Sequence, residues 1–276
     1  MFKVSVIIPT HNRLSTLPRA LESVCQQAHF VDEIIVVDDG SSDNTCQYIQ
    51  THYPQARLIT QTQHGVSKAR NVGIKAARNE WIALLDSDDE WLPHKLQTQF
   101  ELLDKNKNFL VCHTDEMWVR NGKRVNPMNK HKKQGGWIFS QCLPLCAISP
   151  SSVVIHRSIF EKVGYFDESL PACEDYDLWL RICNRFPVLF VEQACIKKYG
   201  GHEDQLSRQY WGMDRFRIAA LTNMLDGNEL SAENRLLTLN TLKEKVRVYC
   251  LGANKRGKSM EVSQYMALLE KYGVNP

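Results

Sequence analysis

WIALLDSDDEW, at residues 81–91, joins a short apolar run to a cluster of acidic side chains. Because the run from Trp81 to Leu85 is short and stops at polar residues, it predicts a buried β-strand. Asp86 and Asp88 then lie at the carboxyl end of this strand, where ligands bind in open α/β sheets. On extended backbone they point to the same side and can form half of an oxygen-ligand site for Mg²⁺ or Mn²⁺, which substrate phosphates complete. The alternative is a solvated acidic turn that caps the helix beginning near Leu92.

Similar apolar runs occur on the amino-terminal side of this stretch, and segments of helical periodicity separate them. The predicted strands are Val4–Ile8, Ile34–Val37 and Arg57–Gln61, and a helix is predicted after each of them. This alternation predicts an α/β fold with a largely parallel, doubly wound sheet. The second strand also ends in acids, Asp38 and Asp39, so one ligand cleft along the carboxyl edge of the sheet accounts for both acidic ends.

The composition is typical of a soluble globular protein. The 276 residues are 43% hydrophobic and 24% charged, and the net charge of +3 is too small to predict a nucleic-acid partner. No apolar stretch approaches the roughly 20 residues that span a bilayer. Nine cysteines without a Cys-x-x-Cys pair, together with the lack of an N-x-[ST] sequon, predict a reducing, cytoplasmic location.

The pattern changes in the second half of the chain. The segment 120–133 holds seven Lys, Arg or His residues, which predicts a mobile, solvated loop or, alternatively, a contact with an anionic acceptor or a membrane surface. The segment Trp137–Ser152 is a candidate acceptor-binding segment. From about Arg208 onward, three amphipathic helices are predicted near residues 208–224, 231–251 and 257–271. We therefore expect an α/β domain at residues 1–205 and a helical extension at residues 206–276.

Six stretches of the chain, in this order, resemble the successive motifs of family 2 glycosyltransferases. They are VSVIIPTHNR (4–13), IIVVDDGSSD (34–43), GVSKARNVG (65–73), LLDSDDEW (84–91), GYFDE (164–168) and EDYDLWLR (174–181). Each motif alone is weak, but six in the right order are specific. The resemblance covers roughly residues 1–205 and implies an inverting enzyme of the GT-A fold that uses a nucleotide-sugar donor. It makes residues 1–205 the catalytic domain and does not extend over the helical extension.

The resemblance implies a donor site formed by the loops that follow the strands. Asp39 would accept a hydrogen bond from the uracil ring or the ribose, and Arg70 with Lys68 would face the nucleotide. The alternatives are helix capping for Asp39 and a surface position for the two cations. The residues implied in nucleotide binding are Pro9, Thr10, Asn12, Asp39, Lys68, Arg70 and Ser87.

The same resemblance implies the metal ligands and the general base. Asp86 and Asp88 match the family's Asp-x-Asp motif and would hold Mn²⁺ or Mg²⁺ against the donor diphosphate. Asp175 matches the carboxylate that takes the proton from the acceptor hydroxyl, and Glu174 would orient the acceptor or the sugar. The alternative for both is that acids favour the first turn of any helix. His202 lies where some relatives carry a histidine near the donor phosphates, so it is either a further metal ligand or an exposed loop histidine.

The implied partners are a nucleoside-diphosphate sugar, with UDP-sugars favoured, and a saccharide or lipid-linked acceptor that meets the segment beginning at Trp137. The helical extension is basic, with Lys243, Arg247 and Lys255 among its cations. Two interpretations stay open for it: it packs on the catalytic domain and closes the acceptor side, or it mediates formation of a homodimer or contact with anionic lipids on the inner, cytoplasmic face of a membrane.

Two other functions fit parts of the sequence. A nucleotidyltransferase shares the sheet and the acidic metal site, but it would need a glycine-rich loop after the first strand, and Pro9–Arg13 contains no glycine. A catalytically silent nucleotide-binding or scaffold protein would keep the fold without the chemistry. The presence of both Asp88 and Asp175 favours the transferase over the scaffold.

Overall fold

The computed structural model describes residues 2–27, 30–201 and 210–274. Strands and helices alternate through the first half, as predicted, and helices follow from residue 214 onward. The strands are β1 (Val4–Thr10), β2 (Val31–Asp38), β3 (Arg57–Thr60), β4 (Trp81–Leu84), β5 (Glu90–Trp91), β6 (Val111–Arg120), β7 (Lys123–Val125), β8 (Val154–His156) and β9 (Leu189–Gly200). The helices are α1 (Leu17–Cys25), α2 (Thr45–His52), α3 (Val66–Ala76), α4 (Lys95–Lys105), α5 (Phe139–Cys142), α6 (Ser158–Val163), α7 (Glu174–Arg185), α8 (Asp214–Asp226), α9 (Ala232–Asn254) and α10 (Ser259–Lys271).

The strands form one sheet in the spatial order β3-β2-β1-β4-β8-β6-β9-β5, with β7 paired to β6. β3, β2, β1 and β4 are parallel to one another, which confirms the predicted parallel sheet. β8 is antiparallel to both β4 and β6, whereas β9 is parallel to β6. Two successive antiparallel pairings return the chain to its first direction, so β6 and β9 end at the same edge of the sheet as β1, β2 and β4.

Side chains of the central strands alternate between two apolar clusters, one on each face of the sheet. In β1, Ile7 belongs to one cluster, and Val6 and Ile8 belong to the other. Because helices cover both faces, β1 is buried along its whole length and is apolar except for Ser5 and Thr10. Gly73 marks the closest approach of α3 to β1, since a Cβ atom there would lie 2.3 Å from Cγ2 of Ile7. This contact explains the second glycine of the GVSKARNVG stretch.

The three helices predicted for the extension are present as α8, α9 and α10. Ile218 and Leu221 of α8 and Leu242 of α9 belong to the same apolar cluster as Trp179 of α7, so the extension packs against the α/β part of the chain. The predicted boundary at residue 205 lies outside the described residues. No helix among residues 2–27, 30–201 and 210–274 is long and apolar enough to cross a membrane.

The basic segment 120–133 is more ordered than the sequence predicts. β6 and β7 form a hairpin whose turn contains Asn121 and Gly122 at positive φ angles of 49° and 74°. The side chain of Lys133 is only 6% exposed, and its ammonium lies 3.1 Å from the carboxylate of Glu116. Residues 120–124 are exposed, as predicted, but form a β-hairpin rather than a loop, since an Asn-Gly pair is a strong hairpin signal. The prediction of a solvated residue was wrong for Lys133.

Candidate functional site

A cleft of about 730 Å³ opens at the carboxyl edge of the sheet, where the sequence predicted a ligand site. The loops after β1, β2 and β4 contribute to it, together with α3, the first turn of α7, α8 and the ends of β6 and β9. The predicted site residues that line this cleft are Pro9, Thr10, Asp39, Arg70, Asp86, Ser87, Asp88, Glu174 and Asp175.

The acidic turn after β4 is held in place by surrounding hydrogen bonds. The N–H of Asp86 donates to Oγ of Ser151 at 3.1 Å, and the Ser151 hydroxyl donates to the carboxylate of Asp89 at 2.6 Å. Asp89 also accepts the N–H of Tyr199 at 3.0 Å, and burial raises the pKa of Asp89 well above its ordinary value. The next helix, α4, has His94 at its N-cap. The acids therefore do not cap that helix, and Asp86 and Asp88 line the cleft.

Arg70 on α3 is buried between two carboxylates of the cleft. Its Nη2 donates to Oδ1 of Asp86 at 2.7 Å, and its Nη1 donates to Oε1 of Glu174 at 2.6 Å. Burial opposes the guanidinium charge, but the two carboxylates hold the pKa of Arg70 above its ordinary value. Burial raises the pKa of Glu174, and Arg70 acts against that rise. Arg70 therefore ties the acidic turn to the start of α7.

Asp175, the second residue of α7, is the candidate general base. Its Oδ1 accepts the N–H of Tyr176 at 2.7 Å, and its Oδ2 accepts the thiol of Cys146 at 3.1 Å. Burial and the nearby Asp175 carboxylate raise the pKa of the Cys146 thiol well above its ordinary value, so the thiol stays protonated and donates at neutral pH. Asp177, by contrast, is buried and ion-paired with Arg181 at 2.6 Å, which is a structural role.

The loop after β3 closes around the side chain of Asp39, which directly follows β2. Oδ1 of Asp39 accepts the N–H of His64 at 2.9 Å and the amide of Gln61 at 2.6 Å, and Oδ2 accepts the N–H of Gly65 at 2.7 Å. A carboxylate oxygen can accept two hydrogen bonds, so Oδ2 keeps capacity for a ligand donor. Asp39 thus orders its neighbours and lines the cleft at the same time.

Within the described residues, three of the predicted site residues are not among those that line the cleft. Asn12 adopts a positive φ of 50°, and its amide oxygen accepts a backbone N–H of the loop after β2 at 2.8 Å, so it joins two loops. The ammonium of Lys68 pairs with Glu168 at 3.0 Å on the surface. Trp137 is 66% exposed and does not line the cleft. His202 lies outside the described residues.

Several side chains that the sequence analysis did not single out also line the cleft. Lys198 comes from β9, and its ammonium donates to Oγ of Ser149 at 3.0 Å. Arg217 comes from α8 and pairs with Asp214 at 2.8 Å. No local pattern marks these cations, because they reach the cleft only through the packing of β9 and α8. A local pattern does mark Arg13, because it lies in the loop after the first strand and belongs to the quoted motif VSVIIPTHNR. Further residues that line the cleft and that the sequence analysis did not single out include Cys146, Trp118, Arg120, His131, Tyr199 and Met213.

The metal hypothesis depends on the donor set of the acidic turn. Within the part of the chain that the structure describes, no three His, Cys, Asp or Glu side chains gather to hold a metal ion. Asp86 and Asp88 offer oxygen atoms alone, which suits Mg²⁺ or Mn²⁺ when phosphates and water supply the other ligands. The residues present therefore fit a divalent ion that binds together with a phosphate ligand.

Comparison with known proteins identifies relatives of this chain. The family model described as Glycosyl transferase family 2 matches residues 5–164, and a model described as Glycosyltransferase like family 2 matches residues 133–223. An uncharacterized glycosyltransferase of Nostoc sp. is 39% identical over 60% of this chain and 54% of its own. The UDP-Glc:α-D-GlcNAc-diphosphoundecaprenol β-1,3-glucosyltransferase WfgD of Escherichia coli is 32% identical over 66% of this chain and 70% of its own.

Other relatives are longer proteins. An uncharacterized glycosyltransferase of Rickettsia felis is 31% identical over 75% of this chain, and the match spans only 35% of that relative. Among solved structures, S. aureus TarS 1–349 in complex with UDP-GlcNAc has a TM-score of 0.68 at 20% identity, over 98% of this chain and 91% of that one. TarS 1–349 in complex with UDP has a TM-score of 0.64 at 24% identity, over 89% of this chain and 71% of that one. These likenesses confirm the predicted fold.

Proposed function

Because the chain belongs to glycosyl transferase family 2, we propose that it moves a sugar from a nucleoside-diphosphate sugar to a hydroxyl of a saccharide or glycolipid acceptor, with inversion. The observation that carries this proposal is that the acidic turn and Asp175 line one cleft, with Arg70 joining the turn to α7. The donor base is proposed to be uridine. The name of the E. coli relative and the UDP ligands of the TarS structures support that choice.

On the donor side, the nucleoside would occupy the end of the cleft lined by Pro9, Thr10 and Asp39. Asp39 suits this role because its two oxygens are already oriented by three protein donors and Oδ2 keeps capacity for one more. The diphosphate would extend from there toward Ser87 and the acidic turn. Asp86 and Asp88 would hold the divalent ion, which when bound supplies positive charge to the leaving diphosphate.

On the acceptor side, Asp175 would take the proton of the attacking hydroxyl. The new bond joins the acceptor oxygen to the anomeric carbon, and the bond that breaks joins that carbon to the diphosphate. Attack opposite the leaving group inverts the anomeric centre. Hydrogen bonds from the N–H of Tyr176 and the thiol of Cys146 orient the carboxylate before the acceptor arrives. Glu174 would act as a positioning residue through its bond to Arg70.

Binding of UDP, measured by calorimetry with and without Mn²⁺, tests the donor side. We expect the wild type to bind UDP in a metal-dependent manner and Asp88→Ala to lose that dependence together with most of the affinity. Asp104, an exposed acid of α4, provides the matched control, and Asp104→Ala is expected to bind as the wild type does. Equal affinity of Asp88→Ala and the wild type would contradict the assigned donor site.

Release of UDP from UDP-sugars in the presence of candidate acceptors tests the chemistry. Asp175→Asn is expected to keep UDP affinity and to lose about 10²–10⁴-fold in turnover, the usual contribution of a general base. Release of pyrophosphate from UTP and a sugar phosphate, with no release of UDP from UDP-sugars, would favour the nucleotidyltransferase. Neither binding nor release with uridine, guanosine or thymidine nucleotides would favour the scaffold protein.

The helical extension supports a further part of the proposal, a peripheral contact with the cytoplasmic face of a membrane. Leu251 of α9 is 53% exposed and Met260 of α10 is 79% exposed, and Lys255 lies between them in sequence. Exposed apolar side chains beside cations suit an anionic lipid surface, and the same face could instead form a homodimer. Vesicle binding tests the membrane contact: it is supported if the protein binds anionic vesicles in a salt-sensitive manner and if Met260→Ser and Leu251→Ser weaken that binding. A concentration-dependent dimer in sedimentation would instead support the homodimer.

A further inference from the structure

Two cations of the cleft have no role in the mechanism above. Lys198 and Arg217 both line the cleft, and both act electrostatically on Cys146. The thiol of Cys146 lies 3.1 Å from Oδ2 of Asp175, and Lys198 also acts directly on Asp175. Both cations therefore line the cleft that contains the candidate base, and one of them belongs to the helical extension.

The carboxylates that balance these cations are each shared between two positive groups. Asp214 lies 2.8 Å from Arg217 and 3.2 Å from Lys245. Glu116 stands 3.1 Å from Lys133 and is also the carboxylate that acts most strongly on Lys198. Asp89 and Asp175 also act on Lys198, so Lys198 has further balancing carboxylates, whereas Asp214, which is shared with Lys245, leaves positive charge on Arg217. An anionic ligand would complete this balance.

The guanidinium of Arg217 has hydrogen-bond donors left for a ligand. Its Nη1 donates to Asp214, and Lys245 holds that carboxylate from the other side, so the guanidinium is oriented in advance. Its Nε is buried and has no acceptor in the described part of the chain. Nε and Nη2 form the planar fork that binds two oxygens of a phosphate or carboxylate group. Lys198 adds a point charge, with Ser149 accepting one of its three N–H groups.

We propose that Arg217 and Lys198 form a subsite for a phosphate oxyanion of the acceptor, placed so that the acceptor hydroxyl meets Asp175. This inference rests on the proposed glycosyl transfer and narrows the acceptor to a sugar that carries a phosphate or diphosphate near the accepting hydroxyl. Arg120 lines the same cleft and adds a positive charge to its rim. The subsite also gives α8, and with it the helical extension, a direct part in substrate recognition.

The donor diphosphate is a second source of the same oxyanion chemistry, and the experiment separates the two. In the first measurement, the full chain is saturated with UDP and Mg²⁺, and its affinity for octyl diphosphate or octyl glucoside is determined by titration at constant free Mg²⁺. In the second, the affinity for UDP is measured separately. The variants are Arg217→Gln, Arg217→Lys and Lys198→Gln. Arg215→Gln is the matched control, because Arg215 lies on the same helix, stacks on Trp211 and does not line the cleft.

We expect the wild type to bind octyl diphosphate at least tenfold more tightly than octyl glucoside. Arg217→Gln and Lys198→Gln should each weaken octyl diphosphate binding about tenfold and leave UDP affinity unchanged. Arg217→Lys should recover part of the loss, because it keeps the charge without the fork, and Arg215→Gln should match the wild type. Urea unfolding midpoints equal to that of the wild type show that the variants are folded.

No preference of the wild type for octyl diphosphate overturns the subsite. A loss of UDP affinity in Arg217→Gln, with octyl diphosphate binding unchanged, overturns it as well and assigns the cation to the donor. If UDP fails to bind while the preference for octyl diphosphate persists and depends on Arg217, the oxyanion subsite is supported and the proposed glycosyl transfer is what fails.

Discussion

The fully buried Lys95 of α4 determines how the stability of this protein should depend on pH. Its ammonium donates to Oε1 of Gln99 at 2.8 Å and lies 4.1 Å from the ring centre of Trp91. Burial lowers the pKa of Lys95 from 10.5 to about 7. Between these two values the unfolded chain binds more protons at this position than the folded chain does, so this residue makes stability rise with pH.

The size of the effect follows from the two pKa values. Since one pKa unit corresponds to about 1.4 kcal/mol, Lys95 lowers the free energy of unfolding by about 4 kcal/mol at pH 7 and about 2 kcal/mol at pH 9. Lys95→Met removes this pH-dependent loss of stability, but it leaves Oε1 of Gln99 without its hydrogen-bond donor, which costs about 1–3 kcal/mol at any pH. The variant is therefore expected to be more stable than the wild type by about 1–3 kcal/mol at pH 7, and that gain falls by about 2 kcal/mol at pH 9.

Urea unfolding at pH 7, 8 and 9, followed by tryptophan fluorescence, measures this difference. The comparison must be between variant and wild type, because buried thiols such as Cys112, whose pKa is raised by burial, change stability with the opposite sign above pH 8. Lys105→Met, at an exposed position of the same helix, is the control and should show no such pH trend. A difference between Lys95→Met and the wild type that stays constant from pH 7 to 9 would refute the reasoning.

Three further substitutions test the packing around the site. Arg70→Met leaves two carboxylates of the cleft without their partner and should cost about 3–5 kcal/mol in urea unfolding, and Arg70→Lys should not restore both bonds. Gly73→Ala places a methyl group against Ile7 and should lower stability by about 1–3 kcal/mol, whereas Gly227→Ala, where a Cβ meets nothing closer than 3.6 Å, should not. Ser151→Ala removes the hydroxyl that joins two residues of the acidic turn, and calorimetry should show weaker metal-dependent UDP binding.

The parallel half of the sheet was predictable from sequence because its strands are covered on both faces. Such strands are apolar without alternation, and each is followed closely by polar residues, so Val4–Ile8 and Ile34–Val37 stand out clearly. The acids at the strand ends then mark the ligand edge, and Asp39, Asp86 and Asp88 do line one cleft. That much of the candidate site follows from local patterns, whereas Asp175, which lines the same cleft, was implied only by the family resemblance.

The second half of the cleft could not be predicted, because it depends on pairings between distant segments. β8 has only three residues, and β9 joins the sheet beside β6 with irregular register, so nothing local indicates that Lys198 points into the cleft. Arg217 reaches the site because α8 packs on α7 through a shared apolar cluster. The sequence also predicted that Lys68 faces the nucleotide, yet the chain provides Glu168 as its partner on the surface.

Arg70 also has carboxylate partners within the protein, and they change what it can do for the donor diphosphate. The family resemblance implied that Arg70 faces the nucleotide, and its Nη1 and Nη2 each donate to a protein carboxylate. A diphosphate that approached Asp86 and Asp88 with no added positive charge would meet like charges that Arg70 and Arg13, which lies 3.9 Å from Asp88, offset only in part. Two unit charges 4 Å apart repel by about 4 kcal/mol at an effective dielectric constant of 20, which corresponds to a factor of about 10³ in affinity.

The part of this repulsion that the two arginines leave leads us to expect that UDP binds more weakly in EDTA than with Mn²⁺ by a factor between about 10 and about 10³, since a divalent ion between the acids and the phosphates would convert the repulsion into attraction. Arg70→Met should not remove the metal dependence, because it takes away a cation and leaves both acids of the turn in place. Equal UDP affinity in EDTA and Mn²⁺ would mean that the cations of the cleft, Lys198 and Arg217 among them, already neutralise the diphosphate. In that case the acids of the turn would hold Arg70 and the start of α7 in position rather than a metal ion.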